Sequence, residues 1–219
     1  MYSLARMISE EARTLTTGDG VVLEARLTVP SSAQGGIVVC HPHPLYGGDM
    51  DNPVVVRIAE VCDNLGLAAL RFNFRGVGHS AGAHDGGTGE QRDVEAALTH
   101  VAGVVGAGRP LALAGYSFGA TVAAGLAPRY AGLTGLALVA PPLARVDNGP
   151  FATLAAFGER LLLVAGTHDE FCPVEALTRL GETLPDATLD MIDGANHFFF
   201  GKLFPLGEAV AVWARRILV

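Results

Sequence analysis

Hydrophobic and polar residues alternate along residues 21–29, in the sequence VVLEARLTV. Apolar side chains fall on one face of an extended chain and polar ones on the other: Leu23, Ala25, Leu27 and Val29 against Glu24, Arg26 and Thr28. Because successive side chains of a strand point to opposite faces, this pattern predicts a half-buried antiparallel strand. A weaker pattern of the same kind precedes it.

Beyond residue 35 the apolar residues form short continuous runs, which predict strands that are buried on both faces, as in a parallel sheet. These runs are residues 36–40, 67–72, 111–116, 136–140 and 161–165, and a further stretch at 188–192 alternates. Apolar residues three or four positions apart predict helices between the runs. The helical segments are residues 54–65, 94–101, 174–184 and 206–217.

Strands and helices thus alternate after an antiparallel beginning, which predicts the α/β fold class. The expected architecture is a three-layer α/β/α sandwich, with helices on both faces of a mostly parallel sheet. No composition break, internal repeat or linker divides the chain, so residues 1–219 are predicted to form a single domain. Ligand sites in such sheets lie at the carboxyl ends of the strands, so the residues that follow each run are the candidates for chemistry.

Length and charge restrict the possible partners. The chain has 219 residues, 50% of them hydrophobic, which suits one sizeable core. Its net charge is −7 and its pI is about 5.4, so it offers no cationic surface to phosphate backbones or anionic lipid. Neither nucleic acid nor membrane is expected as a partner. Residues 110–128 carry no charge, but the glycines within them favour a buried strand and helix over a membrane span.

Three cysteines bear on the cellular compartment: Cys40, Cys62 and Cys172. An odd number leaves at least one unpaired, and a core of this size needs no disulfides, which favours a reducing environment. The N-terminal sequence MYSLARMISEEART lacks the continuous apolar stretch of a signal peptide. Both observations predict a cytoplasmic protein.

Residues 115–119 read GYSFG and lie between a predicted strand and the helical sequence FGATVAAGLA. This G-x-S-x-G pattern resembles the nucleophile elbow of the α/β-hydrolase superfamily. At such an elbow the serine lies on a strained turn, and both glycines are needed because larger side chains would collide with the strand and the helix. N–H groups at the helix N-terminus favour a developing oxyanion. The resemblance implies that Ser117 is the nucleophile and that the sheet has eight strands.

A carboxylate and a histidine follow later strands, in the order that the superfamily requires. Asp169 follows the last of the continuous apolar runs, and His197 follows the alternating stretch. A serine hydroxyl is a weak nucleophile, so a histidine must take its proton and a carboxylate must orient the imidazole. The resemblance implies that Ser117, His197 and Asp169 form a catalytic triad. Glu170 and Asp193 are alternative carboxylates.

The loop of residues 41–48, HPHPLYGG, follows the first continuous run. In the superfamily this loop supplies one backbone N–H of the oxyanion hole, and the residue after the nucleophile, here Phe118, supplies the other. Proline has no N–H, so His43, Leu45 and Tyr46 are the candidates, of which Leu45 is favoured. Each such donor contributes about 3 kcal/mol to transition-state stabilisation. Tyr46 is also a candidate wall of the substrate pocket.

The same loop contains the pattern His41-x-His43, which also invites a metal interpretation, since paired imidazoles bind zinc. The chain is short for the eightfold barrel in which such a pair occurs, and no further histidine and carboxylate ligands follow matching strands. No metal is therefore expected. His41 instead stands where many hydrolases of the superfamily have a His-Gly pair.

Residues 76–81, GVGHSA, match a dinucleotide-binding pattern, G-x-G-x-x-A. That pattern requires a helix to begin at once, whereas residues 81–90, AGAHDGGTGE, are predicted to form a loop. Residues 73–80 instead resemble the Arg-Gly-x-Gly-x-Ser turn that supports the site in many α/β hydrolases. No nucleotide or other cofactor is expected.

The combination of HPHPxxGG, FNFRGVGxS, GxSFG and GAxHFF resembles small lidless bacterial serine hydrolases near the dienelactone-hydrolase-like proteins. About twenty residues join the runs at 136–140 and 161–165, enough for a short helix near residues 150–158 but not for a cap domain. The site is therefore expected to be an open cleft, with Phe171 and one residue of the run at 198–200, Phe198, lining the pocket beside Tyr46.

This resemblance implies hydrolysis of small to medium carboxylic esters through an acyl-serine intermediate, without a cofactor. The substrate would be a small molecule. The same triad would equally serve a thioesterase, an amidase or an acyltransferase. Outside catalysis, the alternative is a silent α/β-hydrolase scaffold that binds a ligand or a protein.

Overall fold

A computed structural model describes residues 10–146 and 149–219, and most of the N-terminal segment behind the localisation prediction lies outside these residues. The described part contains one eight-stranded sheet in the order β1-β2-β4-β3-β5-β6-β7-β8. Its strands are β1 Glu10–Thr16, β2 Val22–Thr28, β3 Gly35–Cys40, β4 Leu67–Phe72, β5 Leu111–Tyr116, β6 Gly135–Val139, β7 Leu161–Gly166 and β8 Thr188–Ile192.

The antiparallel part of the sheet is confined to one side. β1 pairs antiparallel with β2, and β2 pairs antiparallel with β4. The remaining neighbours, from β4 to β8, all pair in parallel. The alternating stretch at residues 21–29 is thus β2, and the weaker stretch before it is β1. The prediction of a mostly parallel α/β sheet is confirmed.

Helices cover both faces of the sheet: α1 Pro53–Asn64, α2 Thr88–Val105, α3 Phe118–Leu126, α4 Val174–Thr183 and α5 Leu203–Leu218. α1 and α5 pack over a core that includes Ile37 and Val39 of β3. The other three pack over a core that includes Val38 and Cys40 of the same strand. Because successive residues of β3 enter opposite cores, the strand needs apolar side chains at every position.

The start of α2 differs from the sequence prediction, which placed residues 81–90 in a loop. The helix begins at Thr88. The Glu90 carboxylate accepts the N–H of Gly87 at 2.7 Å and that of Asp85 at 2.9 Å. These bonds satisfy N–H groups that a helix start leaves free, so the capping contact extends the helix into the glycine-rich segment.

The connection from β6 to β7 contains a 3₁₀ turn, Leu154–Arg160, rather than the helix expected near residues 150–158. Gly158, with φ 53° and ψ −132°, interrupts the helical backbone there. The connection is too short for a cap domain. Among the described residues, no helix has the length and apolar character needed to cross a membrane.

Candidate active site

Ser117 lies at a sharp turn between β5 and α3, where its backbone has φ 54° and ψ −116°. This region is rare for residues other than glycine and stores strain. The Ser117 N–H donates to the Val139 oxygen of β6 at 2.9 Å, which ties the turn to the sheet. A Cβ atom at Gly115 would overlap the Gly119 carbonyl, and one at Gly119 would lie 2.6 Å from the Cys40 oxygen. Both glycines are therefore required by close packing.

A continuous line of hydrogen-bonded groups runs from Ser117 to a buried carboxylate. Ser117 Oγ lies 3.0 Å from His197 Nε2. His197 Nδ1 lies 3.0 Å from Asp169 Oδ1 and 2.9 Å from Oδ2. A carboxylate can only accept a hydrogen bond, so Nδ1 carries the proton. Nε2 is then free to accept a hydrogen bond from the Ser117 hydroxyl. All three side chains belong to buried residues.

Backbone donors hold the Asp169 carboxylate in place. Its Oδ1 accepts the N–H of Phe171 at 2.8 Å and that of Cys172 at 2.9 Å. The two alternative carboxylates, Glu170 and Asp193, belong to exposed residues and make no bond to the imidazole. Of the three carboxylates that the sequence offered, Asp169 is the one in contact with His197.

The histidine loop is fastened to the nucleophile strand. Tyr116, immediately before Ser117, donates its hydroxyl proton to the His197 carbonyl oxygen at 2.9 Å. Burial of the Tyr116 hydroxyl raises its pKa, so the hydroxyl remains a donor. The Phe171 ring covers the imidazole, with 4.6 Å between ring centroids.

The loop of residues 41–48 has most of its N–H groups engaged. Bonds within the loop are Leu45 N to His43 Nδ1 at 3.2 Å, Tyr46 N to His43 O at 3.1 Å, Gly47 N to Pro44 O at 3.3 Å and Gly48 N to His43 O at 3.1 Å. The Leu45 N–H, which the sequence favoured as an oxyanion donor, is thus bonded to the His43 ring. Neither the His43 N–H nor the Phe118 N–H has an acceptor within the described ranges.

His41, the other histidine of this loop, is buried and structural. Its Nδ1–H donates to the Pro42 oxygen at 2.6 Å, and its Nε2 accepts the Phe74 N–H at 3.0 Å. Burial lowers its pKa to about 4. Both ring nitrogens are engaged by the backbone, and residues 10–146 and 149–219 hold no cluster of three or more side chains suited to a metal.

Exposed apolar side chains lie near the nucleophile and its histidine. Leu45 and Tyr46 are exposed, and Phe198 is 53% exposed. The ring of Phe198 lies 5.6 Å from the His197 ring, centroid to centroid. Phe199 is buried in the core, so the run at 198–200 divides between core and surface.

Two residues near the site escaped the sequence analysis. The His84 ring lies 5.3 Å from the Phe118 ring and 5.0 Å from the His43 ring, measured between centroids. His84 Nδ1 is 2.8 Å from Glu90 Oε1, although the two atoms are not aligned for a hydrogen bond. The spacing of Glu90, three residues after Gly87, is the capping-box signal that could have revealed it.

A carboxylate beneath the site fastens the turn at residues 73–80. Glu24 Oε2 accepts the Asn73 amide at 2.8 Å and the His79 N–H at 3.0 Å. Asn73 Oδ1 in turn accepts the Met50 N–H at 2.8 Å. The bond from the His79 N–H stabilises the charged carboxylate most and holds the pKa of Glu24 below its usual range.

Comparison with known proteins shows the family to which the chain belongs. A family model described as an alpha/beta hydrolase domain matches residues 37–203. The chain belongs to the α/β-hydrolase family. An uncharacterised protein of Rickettsia prowazekii is 31% identical over 195 residues, which cover 86% of this chain and 82% of that protein.

Two solved structures of α/β hydrolases resemble the chain over nearly its whole length. The serine hydrolase without a lid from Xanthomonas campestris is 33% identical, with a TM-score of 0.82 and coverage of 98% of this chain and 97% of that chain. The α/β serine hydrolase homologue from Coxiella burnetii is 34% identical, with a TM-score of 0.83 and coverage of 97% and 99%. The predicted membership of a small lidless group of α/β hydrolases is confirmed.

Proposed function

We propose that this α/β hydrolase cleaves small to medium carboxylic esters through an acyl-serine intermediate. The observation that carries the proposal is the line from Ser117 Oγ through the His197 imidazole to the Asp169 carboxylate, with contacts of 2.9–3.0 Å. Such an arrangement lets a neutral hydroxyl act as a nucleophile near neutral pH. A binding scaffold would have no need of a strained, activated serine.

In the first half-reaction, Ser117 Oγ attacks the ester carbonyl carbon while His197 Nε2 takes the serine proton. The resulting tetrahedral intermediate carries its negative charge on the former carbonyl oxygen. As the carbon–oxygen ester bond breaks, His197 returns the proton to the departing alkoxide, and the acyl group remains on Ser117. In the second half-reaction, His197 Nε2 takes a proton from a water molecule, whose oxygen attacks the acyl carbon. The proton then passes to Ser117 Oγ as the acyl-serine bond breaks, and the carboxylic acid is released. Asp169 orients the imidazole and stabilises its cationic form in both halves.

The negative oxygen needs donors whose N–H groups are not already bonded. Phe118, at the first position of α3, supplies one such N–H. For the second donor, the bonds within the loop at 41–48 favour the His43 N–H over that of Leu45, because the Leu45 N–H already donates to the His43 ring. Leu45 would serve only if that bond opened. Each donor is expected to contribute about 3 kcal/mol.

The open, apolar mouth supports a preference for uncharged acyl groups of modest size. Leu45, Tyr46, Phe171 and Phe198 offer apolar surface near Ser117 and His197, and the connection from β6 to β7 is too short for a cap domain over a long acyl chain. We place the reaction in the cytoplasm, a proposal supported by the three cysteines, all buried as free thiols.

A panel of acyl donors tests the proposal. The purified chain would be assayed on p-nitrophenyl acetate, butyrate and decanoate, with a butyryl thioester and a butyryl anilide alongside. We expect kcat/KM to be highest for the short esters, and Ser117→Ala to lower it by at least about 10³-fold. Equal rates for the wild type and Ser117→Ala would refute the proposal. A thioester or anilide preferred over the matching ester by tenfold or more would assign the same triad to that class instead.

A further inference from the structure

The HPHP sequence contains a second histidine, His43, whose side chain the proposed mechanism does not use. Its ring is half-buried beside the nucleophile, 4.8 Å from the Phe118 ring and 4.8 Å from the Tyr46 ring between centroids. Its Nδ1 accepts the Leu45 N–H at 3.2 Å, as the N-cap of the 3₁₀ turn Pro44–Tyr46. The ring therefore touches both parts of the chain that supply oxyanion donors.

The bonds around His43 divide the N–H groups of the loop into two sets. Its ring and its carbonyl oxygen together accept three of them, those of Leu45, Tyr46 and Gly48. Pro42 and Pro44 have none to offer. The His43 N–H is left without an acceptor in the described chain. The side chain thus engages the Leu45 N–H, while the backbone oxygen of the same residue engages those of Tyr46 and Gly48.

We propose that the His43 side chain is a positioning residue that sets the register of the oxyanion loop by accepting the Leu45 N–H. The proposal rests on the proposed hydrolytic function. It makes the neutral form of His43 the competent one, since Nδ1 can accept a hydrogen bond only while it carries no proton. Protonation would turn Nδ1 into a donor that faces another donor and would open the turn.

The groups around the ring favour the neutral form. Burial lowers the pKa of His43 most, and the nearby His84 lowers it further, while the buried Glu90 carboxylate opposes both. Tyr46, from the same loop, faces the ring with its aromatic side chain, and α3 contributes the apolar ring of Phe118. The loop should therefore keep its register at neutral pH and lose it in acid.

Two substitutions separate the acceptor atom from the ring. His43→Phe keeps an aromatic ring against Phe118 and removes the acceptor. His43→Asn removes the ring but restores an acceptor, because an asparagine Oδ1 occupies nearly the same place as a histidine Nδ1 and is a common N-cap. We expect His43→Phe to lower kcat on p-nitrophenyl butyrate about tenfold or more, with KM nearly unchanged, and His43→Asn to recover most of the loss.

The dependence of kcat on pH distinguishes a positioning role of the His43 side chain from a merely structural one. In the wild type, protonation of either His197 or His43 lowers kcat, so the acid limb of log kcat against pH should become steeper than one. His43→Asn cannot titrate, so its limb should keep a slope of one. His100→Phe, a change at a histidine of α2, should keep the wild-type profile.

Several results would overturn the inference. They are a His43→Phe variant with wild-type kcat, a folded His43→Asn variant as impaired as His43→Phe, or a wild-type acid limb with a slope of one. The wild-type slope needs no variant, so the inference remains testable if a substitution prevents folding. Absence of any Ser117-dependent turnover in the wild type is a different result, because it refutes the proposed hydrolytic function itself.

Discussion

The hydroxyl of Tyr116 donates to the carbonyl oxygen of His197 at 2.9 Å, inside the core. This bond joins the last residue of β5 to the histidine loop, and Ser117 is the next residue in the chain. The relative position of Ser117 and His197 is therefore fixed by the bond from Tyr116 as well as by the contact between their own side chains. A bond of this kind limits how far the loop can drift from the serine.

Removing that hydroxyl should affect both stability and rate. Tyr116→Phe leaves a buried carbonyl oxygen unpaired, which should lower the free energy of unfolding by about 1–3 kcal/mol in urea denaturation. We also expect kcat on p-nitrophenyl butyrate to fall severalfold as the imidazole loses its fixed position. Tyr130→Phe is the control, since the Tyr130 hydroxyl has no partner in the described chain, and it should stay within about 0.5 kcal/mol of the wild type. Equal effects of the two substitutions would show that the bond has no such role.

Asp169 determines which ring nitrogen of His197 carries the proton, and an amide at this position should reverse that choice. In Asp169→Asn the side-chain oxygen can still accept from Phe171 and Cys172, but its NH₂ group faces His197 Nδ1. The imidazole must then place its proton on Nε2, where it cannot accept from Ser117. By analogy with the same substitution in serine proteases, kcat should fall about 10⁴-fold. Glu170→Gln, at the exposed neighbour, should leave kcat unchanged. A small loss in Asp169→Asn would contradict the assigned role.

The close packing at the elbow predicts a large cost for a single methyl group. Gly115→Ala places its Cβ against the Gly119 carbonyl, backbone that cannot move without displacing α3, so it should lower the unfolding free energy by about 3 kcal/mol or more. Gly103→Ala is the matched control, because nothing lies within 4 Å of a Cβ there. It lies in exposed helix and should stabilise by about 0.5–1 kcal/mol. Similar stabilities for the two variants would rule out the steric argument.

Glu24 should contribute stability that depends on pH. Its pKa is lowered in the folded protein, so the contribution is present above the ordinary carboxyl pKa and is lost as the pH falls through the lower folded value. In thermal unfolding, the difference between the wild type and Glu24→Gln should be largest near pH 7 and shrink steadily below about pH 4. The exposed Glu95→Gln should show a small difference at every pH. A pH-independent gap for Glu24→Gln would contradict the account.

The sheet was well predicted because buried parallel strands require unbroken apolar sequence. The runs at 67–72 and 111–116, and the alternating stretch at 188–192, have the same bounds as β4, β5 and β8. The predicted start of α2 was wrong because the glycine-rich sequence before Glu90 was given more weight than the capping-box spacing of Gly87 and Glu90.

The candidate site likewise has features that could be predicted from the sequence and one that could not. The meeting of Ser117, Asp169 and His197 could be predicted from topology, because each residue follows a strand, β5, β7 or β8, and parallel strands end at one edge of the sheet. The hydrogen bond between His43 and Leu45 could not be predicted, since it depends on the rotamer of one ring in a proline-restricted loop. The catalytic roles of the triad residues and of His43 stay predictions until activity is measured.

The central claim is that Ser117 is an activated nucleophile, and a fluorophosphonate tests it without knowledge of the substrate. The purified chain would be labelled at neutral pH and the adduct located by peptide mass spectrometry, with Ser117→Ala and His197→Ala in parallel. The account predicts an adduct on Ser117 that is absent from Ser117→Ala and forms far more slowly in His197→Ala. Folded wild-type protein that forms no adduct, or forms it on another residue, would contradict the account.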